Sequence, residues 1–301
     1  MRGLHRRHAK KGHESRVNSV TLARMNEMIR QVLDGPRAGV IGVVNVTPDS
    51  FSDGGQHVGD EAAIKHGMCL IEDGADMLDI GGESTAPGSK PIDPAQELAR
   101  IDGVVRALAP QIPLSIDTYR ATTAARCLER GAAMINDVSA LRADPDLAAV
   151  VAEHQAFVAL AHVKDSPLPH ATDDPKTYDD VITEIGDFLL ARVDYALDAG
   201  IDQARLILDP GWGRFISLDP DDTWRLLANF ERLAQRLHPL PLMVCTSRKG
   251  FLSVPMEDRD PVSQFTALVG VIKGGRLIRT HRPKMARQFL EIAAKMRLFN
   301  A

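Results

Sequence analysis

The chain has 301 residues, a mass of 32.8 kDa and a formal net charge of −4 at pH 7. Hydrophobic residues make up 44% of it and charged residues 25%, which is ordinary for a soluble globular protein. The sequence has no apolar run near the ~20 residues that span a bilayer, and an aromatic share of 5% disfavours a base-stacking surface. Because no apolar segment follows the basic start, we expect no Sec-type signal peptide.

The charge is unevenly distributed along the chain. Residues 1–30 contain eight arginines or lysines and two glutamates, a balance of +6, which leaves −10 for residues 31–301. The first 16 residues lack a hydrophobic period, and we interpret them as a disordered basic arm. Its two interpretations are a contact with nucleic acid or another acidic surface, and, favoured here, a tail without a selected function. A weakly amphipathic stretch over 20–33 predicts a helix, so residues 1–35 form an N-terminal extension.

The three cysteines are Cys69, Cys127 and Cys245. They are odd in number and widely spaced, so they predict neither a disulfide framework nor a CxxC metal pair. This usage fits the reducing cytosol.

From Gly39 onward, short apolar runs alternate with segments of helical period. Eight runs have the length of buried strands: 39–46, 76–80, 112–116, 132–138, 156–163, 205–209, 241–246 and 276–280. Helical segments are predicted at 61–73, 94–109, 119–130, 178–199, 220–237, 262–274 and 284–298, with glycines after helix ends at Gly74, Gly131, Gly200 and Gly275. Eight such repeats predict a parallel sheet closed into one (β/α)8 TIM barrel, a single α/β domain over residues 36–301.

Polar or ionisable residues follow every predicted strand. In a (β/α)8 barrel the active site lies at the carboxyl ends of the strands. The polar residues at those ends are Asn45 and Thr47, Asp79 with Glu83 to Thr85, Ser115 and Asp117, Asn136 and Asp137, His162 and Lys164, Asp209, Ser247 to Lys249, and Arg279 to His281. One aspartate at a strand end is more often a helix cap, but eight polar ends together predict one concave polar pocket.

The residue types in this pocket indicate the kind of ligand. Carboxylates and an amide suit a planar heterocycle that carries amino, ring N–H and oxo groups, and strands 3, 4 and 6 supply them as Asp117, Asn136 and Asp209. A phosphate site after strands 7 and 8 recurs in this fold, and those strands supply Lys249, Arg279 and His281. The pattern predicts a ligand with a polar ring at one end and a phosphate at the other.

Other site classes find little support in the sequence. No HxH or HExxH spacing points to a zinc site, and no P-loop occurs. The glycines near residues 81–82 and 211–213 do not form a dinucleotide-binding GxGxxG, and no GxSxG indicates an α/β-hydrolase.

Several motifs in chain order resemble dihydropteroate synthase, within the pterin-binding barrel enzymes. The run GVVNVTPDSFSDGG over 42–55 is similar to the first signature of that family, and DIGGEST over 79–85 to the second. Shorter matches follow at SIDT over 115–118, IND over 135–137, DPG over 209–211, SRK over 247–249 and IRTH over 278–281. The resemblance covers about residues 37–298, and it implies a (β/α)8 barrel.

The resemblance also implies a reaction and a set of site residues. It implies a cytosolic homodimer of folate synthesis that joins 6-hydroxymethyl-7,8-dihydropterin diphosphate to p-aminobenzoate, with Mg2+, giving 7,8-dihydropteroate and pyrophosphate. The implied pterin-binding set is Asp117, Asn136, Asp209 and Lys249. The pyrophosphate and p-aminobenzoate side is Asn45, Thr85, Arg214, Ser247, Arg279 and His281. Asn45 is the implied magnesium ligand, and the implied catalytic residues are Asp117, Lys249, Arg279 and His281. Loops 47–55 and 84–90 resemble those that close over p-aminobenzoate.

The sequence departs from the family at several positions. Ala86 stands where the family usually has an arginine that is expected to contact pyrophosphate. Arg214 stands where a phenylalanine is expected to face p-aminobenzoate, unless the loop shifts and Phe215 takes that place. Cys245 replaces a glycine, and Arg282 follows His281 where an acid is common. Ala161 and Val163 flank His162 where methionines are common.

Three functions remain open on these residues. A divergent synthase is favoured. A second possibility is a pterin-binding paralogue with a changed second substrate or without synthase activity. The third is a pterin-dependent methyltransferase on the same fold, which the first signature and the SRK motif disfavour.

Overall fold

The computed structural model describes residues 22–47, 56–84, 89–164 and 176–298. Eight parallel strands form one sheet: β1 Gly39–Asn45, β2 Met77–Gly81, β3 Leu114–Asp117, β4 Met134–Asp137, β5 Phe157–Ala161, β6 Leu206–Asp209, β7 Met243–Val244 and β8 Leu277–Thr280. Their spatial order is β6-β5-β4-β3-β2-β1-β8-β7, and a parallel bridge between Leu208 and Leu242 joins the two ends. The predicted (β/α)8 barrel is confirmed.

Within the described ranges, ten α-helices surround or cap the barrel. They are α1 over 22–34, α2 Gln56–Glu72, α3 Pro94–Leu108, α4 Ala121–Glu129, α5 Leu147–Glu153, α6 Val181–Asp198, α7 Pro220–Ala228, α8 Phe230–Leu237, α9 Arg259–Ile272 and α10 Pro283–Lys295. The structure differs from the expectations in two details. The segment 220–237 is two helices, because the backbone leaves the helical region at Asn229 (φ −110°, ψ 18°), whose side chain donates to the Arg225 carbonyl at the end of α7. The glycine that ends α9 in the left-handed region is Gly274, with φ +107°, and not Gly275.

The strands are buried on both sides, as their apolar, β-branched sequences require. Side chains that point inward share layers fixed by the strand register: Asn45 pairs with Gly81, Gly81 with Asp117, and Asp117 with Asn136. Gly81 carries no side chain between two polar neighbours, and a Cβ there would lie 3.4 Å from the Asp117 Cβ. The register therefore places three of the predicted site residues next to one another at the carboxyl end of the barrel.

Helix α1 closes the opposite, amino end of the barrel. Met25 and Ile29 on α1 are fully buried in the core. Arg276, just before β8, donates to the Val32 carbonyl at 2.7 Å, to the Leu33 carbonyl at 2.6 Å and to the Gly35 carbonyl. Because the last carbonyls of a helix lack partners within it, this guanidinium caps α1 and fixes it to the barrel.

The predicted basic arm over residues 1–16 lies outside the described residues. Within the part of the chain that the structure describes, no helix has the length and apolar character needed to cross a membrane.

Candidate active site

Arg279 is the centre of an ionic network inside the barrel mouth. Its Nη2 donates to Asp117 Oδ2 at 2.9 Å, and its Nε donates to Asp79 Oδ2 at 2.6 Å. Asn136 Nδ2 donates to the same Asp79 oxygen at 3.1 Å. The structure thus brings together three predicted site residues around Asp79, which was not assigned to the site. Its position at the end of β2, inside the second signature, was the signal available.

The network determines the protonation of its carboxylates. Burial, with the charges of Asp79 and Glu97, raises the pKa of Asp117 to about 7 against the opposing charge of Arg279. Burial lowers the pKa of Arg279, but Asp79 and Asp117 outweigh that effect and raise it. Arg279 therefore stays cationic, while Asp117 is poised between its two forms near neutral pH.

Asp209, at the end of β6, lies at the same barrel mouth, where the charges of Lys249 and Arg279 act on it. Its Oδ1 accepts from the Gly211 N–H at 2.9 Å, and burial raises its pKa against that hydrogen bond and the charges of Lys249 and Arg279. Cys245 is buried beside it, and burial together with the Asp209 charge raises the pKa of its thiol. Cys245 is therefore a neutral thiol, and it occupies space next to Asp209, one of the predicted pterin-binding residues.

Lys249 lies against an aromatic ring. Its Nζ is 4.5 Å from the centroid of the Phe215 ring, which is within the range of a cation–π contact. Burial, reinforced by Arg279, lowers the pKa of this lysine. Phe215 lies in a short 3-10 turn, Gly213–Phe215, and its neighbour in that turn, Arg214, is exposed at the rim. Of the two alternatives left open by the sequence, Phe215 is the residue that faces Lys249.

Ser247 and His281 are in contact across β7 and β8. Ser247 Oγ lies 2.9 Å from His281 Nδ1, and the His281 backbone N–H donates to the same oxygen at 3.2 Å. Burial lowers the pKa of His281 to about 3, and the charges of Arg279 and Arg248 reinforce the shift. His281 is therefore neutral at physiological pH.

Beside this pair, Asp260 holds two arginines. Arg248 donates to its two carboxylate oxygens at 2.7 and 2.9 Å, and Arg282 Nε lies 3.4 Å from one of them. Arg282, where the family often has an acid, thus shares the carboxylate with Arg248.

A buried ion pair fixes the ends of the segment between β2 and α3. Arg120 Nη2 donates to Glu83 at 2.7 Å and to the Ile92 carbonyl at 2.8 Å, and Nη1 donates to Glu97 at 3.0 Å. Glu83 in turn accepts from the Ile92 N–H at 3.1 Å. Burial opposes ionisation of Glu83, but these hydrogen bonds prevail and lower its pKa. Thr85, between the two fixed ends, lies outside the described residues.

Three of the polar residues at the ends of β4 and β5 do not join the pocket. His162 is buried with its ring edge-on to Phe188 at 4.9 Å, and Lys164 pairs with Glu184 at 2.7 Å. Asp137 accepts from the Ser139 and Leu141 N–H groups and stabilises a turn. The alternation of a strand turns these side chains outward, away from Ala161 and Asn136.

Several buried polar atoms at the pocket floor have no partner among the described residues. They are Asp79 Oδ1, Ser115 Oγ and Asn136 Oδ1. A buried polar atom without a partner costs about 1–3 kcal/mol, so these atoms favour a bound polar ligand or water. A cavity of about 1060 Å3 lies at the amino end, between α1 and α8, and none of the predicted site residues lines it.

Asn45, the last residue of β1, is the exposed one of its strand. Its Oδ1 and the Asp117 side chain lie on either side of Gly81. A Cβ built on Gly81 would be 3.9 Å from Asn45 Oδ1 and 3.4 Å from the Asp117 Cβ. Among the described residues no cluster of three His, Cys, Asp or Glu could hold a metal ion. A magnesium ion commonly takes one or two protein oxygens and completes its shell with water and substrate phosphate. One exposed amide oxygen fits that mode of binding.

The chain is similar to known proteins over most of its length. The family of pterin binding enzymes matches residues 41–281. A dihydropteroate synthase of Mycobacterium leprae is 38% identical over 253 residues, 80% of this chain and 87% of that protein. Two solved Xanthomonas albilineans dihydropteroate synthases share the fold. One, with 4-aminobenzoic acid, has a TM-score of 0.79 and 39% identity over 88% of this chain and 94% of that one. The other, with 7,8-dihydropteroate, has a TM-score of 0.75 and 35% identity, and the match covers 88% of this chain and 97% of that one.

Proposed function

The chain belongs to the dihydropteroate synthases among the pterin-binding enzymes, and on that premise we propose its reaction and the roles of its residues. It is a transferase that condenses 6-hydroxymethyl-7,8-dihydropterin diphosphate with p-aminobenzoate, giving 7,8-dihydropteroate and pyrophosphate. The observation that carries the proposal is that Asp117, Asn136, Asp209 and Lys249 converge at one barrel mouth. Relatives with the same fold bind 4-aminobenzoic acid and 7,8-dihydropteroate, the proposed second substrate and product.

The pterin ring binds at the floor of the mouth. Asp117 and Asp209 accept from its amino and ring N–H groups, and the Asn136 amide and the Lys249 ammonium contact its polar edge. The unpartnered oxygens of Asp79 and Asn136 support this placement, since a bound polar ring would supply hydrogen-bond donors to these buried atoms.

The diphosphate binds on the side of β8 and β1. Arg279 uses Nε and Nη2 within the protein, and its Nη1 has no partner among the described residues, so that N–H group is available to a phosphate oxygen. His281 and Ser247 lie on the same side. Asn45 would hold Mg2+ through its amide oxygen. When bound, the ion supplies positive charge that withdraws electrons from the leaving group.

Bond cleavage generates charge that the site is built to stabilise. The C–O bond to the diphosphate breaks and its electron pair leaves on pyrophosphate. The amine nitrogen of p-aminobenzoate forms the new C–N bond to the methylene carbon, and the proton that the amine then loses passes to the released pyrophosphate or to water. The electron-rich pterin supports positive charge on that carbon, and Asp117 and Asp209 add negative charge nearby. Water would capture such a carbon, so positioning of the amine and exclusion of water are the main tasks of the protein.

The second substrate lies between the rim and Lys249. We assign the ring contact to Phe215, because it faces Lys249, and the carboxylate contact to Arg214, an exposed cation one residue away. The buried pair of Glu83 and Arg120 anchors the segment that carries Thr85, the residue on the pyrophosphate and p-aminobenzoate side.

The homodimer is proposed to form through α9 and α10. These helices pack on each other and expose large apolar side chains: Phe265 is 59% exposed, and Ile292 is 57% exposed. Exposed apolar residues on adjacent helices favour an interface with a second copy. Sedimentation should show a dimer that the double variant Phe265→Asp with Ile292→Asp converts to monomer; a wild-type monomer would contradict this assignment.

A cytoplasmic location is also proposed. Cys69, Cys127 and Cys245 are all free thiols, as expected for a protein of a reducing compartment. Fractionation of cells that express the protein would test it.

The decisive experiment measures pyrophosphate release. Purified protein with Mg2+ and pterin diphosphate should release pyrophosphate and form dihydropteroate only when p-aminobenzoate is present. Lys249→Met should bind no pterin and serve as the inactive control. Pterin binding without product would overturn the synthase assignment and favour a paralogue with another second substrate. Complementation of a strain that lacks its own synthase provides an independent test.

A further inference from the structure

The contact between Ser247 and His281 defines the state of the imidazole more closely than proximity alone. One serine oxygen reaches two nitrogen atoms of the same histidine, the backbone N at 3.2 Å and the ring Nδ1 at 2.9 Å. Two simultaneous contacts to one residue fix the rotation of the ring as well as its distance.

The hydrogens of this contact can be assigned by counting donors and acceptors. A serine hydroxyl has one hydrogen and two acceptor sites. Ser247 Oγ already accepts from the His281 backbone N–H. Within the described residues, the acceptor in hydrogen-bond contact with its own hydrogen is Nδ1 of His281. The reverse arrangement, in which Nδ1–H donates to the second acceptor site of Oγ, would leave the hydroxyl hydrogen without a partner among the described residues. We therefore assign the hydroxyl as the donor to an unprotonated Nδ1, which in a neutral ring leaves the hydrogen on Nε2.

The backbone around Ser247 holds the hydroxyl in this position. Thr246 Oγ1 donates to the Ser263 carbonyl at 3.0 Å, and the Arg248 N–H donates to Ser263 Oγ at 2.9 Å. Arg248 itself is in the left-handed region at φ +59° and pairs with Asp260. Both neighbours of Ser247 are thus anchored to α9.

The charges around His281 keep the ring neutral. Arg279 on β8 and Arg248 and Lys249 after β7 oppose a positive charge on it, and burial acts in the same direction. Asp260 on α9 is the carboxylate that favours the charged form, and its two oxygens are already engaged with Arg248. The single acid does not offset three cations and burial.

We propose that Ser247 is a positioning residue that selects the Nε2–H tautomer of His281, so that a neutral ring presents an N–H donor to an anionic ligand. On the proposed function, on which this identification of the anion rests, the ligand is the diphosphate leaving group. His281 then stabilises the departing oxygens by a hydrogen bond and does not transfer a proton to them.

The tautomer can be measured directly on the full-length enzyme. The protein is labelled with 15N at histidine, and His281 is assigned from the signals lost in His281→Gln. Long-range 1H–15N spectra should show an unprotonated Nδ1 and a protonated Nε2, unchanged from about pH 5 to about pH 8. A protonated Nδ1, or an imidazolium at neutral pH, would overturn the proposal.

Variants of Ser247 then connect the tautomer to anion binding. In Ser247→Ala the ring should populate both tautomers, and affinity for inorganic pyrophosphate should weaken about three- to tenfold, as for one lost hydrogen bond. Ser247→Thr keeps the hydroxyl and should restore both the single tautomer and the affinity. Ser253→Ala, an exposed serine near the same loop, is the matched control and should behave like wild type.

Two results would contradict this role. One is a Ser247→Ala protein that retains a single Nε2–H tautomer and full pyrophosphate affinity. The other is a folded Ser247→Thr protein that is no better than the alanine variant. Neither readout requires turnover, so a protein with the expected tautomer that forms no dihydropteroate would overturn the proposed function and leave this inference standing.

Discussion

Arg279 donates to Asp117 at 2.9 Å inside the barrel, although the sequence places the two residues 162 positions apart. The resemblance assigned the arginine to the pyrophosphate and the aspartate to the pterin. Their contact joins the two halves of the predicted site, and on the proposed function this ion pair would couple binding of the ring to binding of the leaving group.

The pH dependence of pterin binding should report Asp117. Its pKa is raised to about 7, so the carboxylate that accepts from the ring forms as pH rises through that value. We expect kcat/KM for the pterin substrate to rise with pH and level off above about 7. Asp117→Asn should weaken binding about 10- to 100-fold and remove this limb. If kcat/KM of the variant still rises with pH toward about 7, the titration belongs to another group.

Asp79 should act through Arg279. Removing its charge with Asp79→Asn leaves the guanidinium with one carboxylate, and we expect kcat/KM for the pterin substrate to fall about 10- to 100-fold while KM for p-aminobenzoate changes little. Asp76→Asn is a useful control, because Asp76 pairs with Arg37 and Arg287 away from the mouth. It should lower Tm without changing kinetics. Equal kinetic effects of both variants would contradict a specific role for Asp79.

Arg214 should discriminate the carboxylate of the second substrate. An exposed charge pair is worth little, so Arg214→Leu should raise KM for p-aminobenzoate only about three- to tenfold and leave pterin affinity unchanged. The same variant should use an aniline that lacks the carboxylate as well as wild type does. An equal loss of activity toward p-aminobenzoate and toward the aniline without a carboxylate would show that Arg214 supports the rim and does not bind the carboxylate.

Ala86 leaves the position of the expected arginine without a charge. Ala86→Arg should raise kcat/KM for the pterin substrate about tenfold or more, the effect of one charge-assisted hydrogen bond. Ala86→Gln tests whether a neutral donor is enough and should give a smaller gain. Steady-state kinetics with no gain from arginine would mean that another cation already serves the pyrophosphate.

Arg276 should matter for stability and not for chemistry. Arg276→Ala removes the cap from three carbonyls at the end of α1, and we expect the free energy of unfolding to fall by about 2–4 kcal/mol. Lys295→Ala, exposed on α10, should change it by less than about 0.5 kcal/mol. Urea unfolding measures both. A loss as small as that of the control would show that α1 is held by Met25 and Ile29 alone.

The barrel itself was predictable because its signal is local. Buried parallel strands are short apolar runs, and helices repeat with their own period, so all eight strands were located within a few residues. The rule that catalytic groups lie at the carboxyl ends then selected Asp117, Asn136, Asp209, Lys249 and Arg279 without coordinates. The break at Asn229 was missed, because either one helix or two would satisfy the apolar period of that segment.

By itself the sequence determined the fold, the family and the ends of the strands at which the site residues lie. Only the tertiary structure decided how those residues are used. Alternation along β4 and β5 turns Asp137 and His162 outward, and the turn after β6 puts Phe215 rather than Arg214 against Lys249. Contacts such as Asp79 with Arg279 and Ser247 with His281 depend on closure of the barrel. That closure joins residues far apart in the chain, and no local pattern encodes their distance or the field that shifts their pKa values.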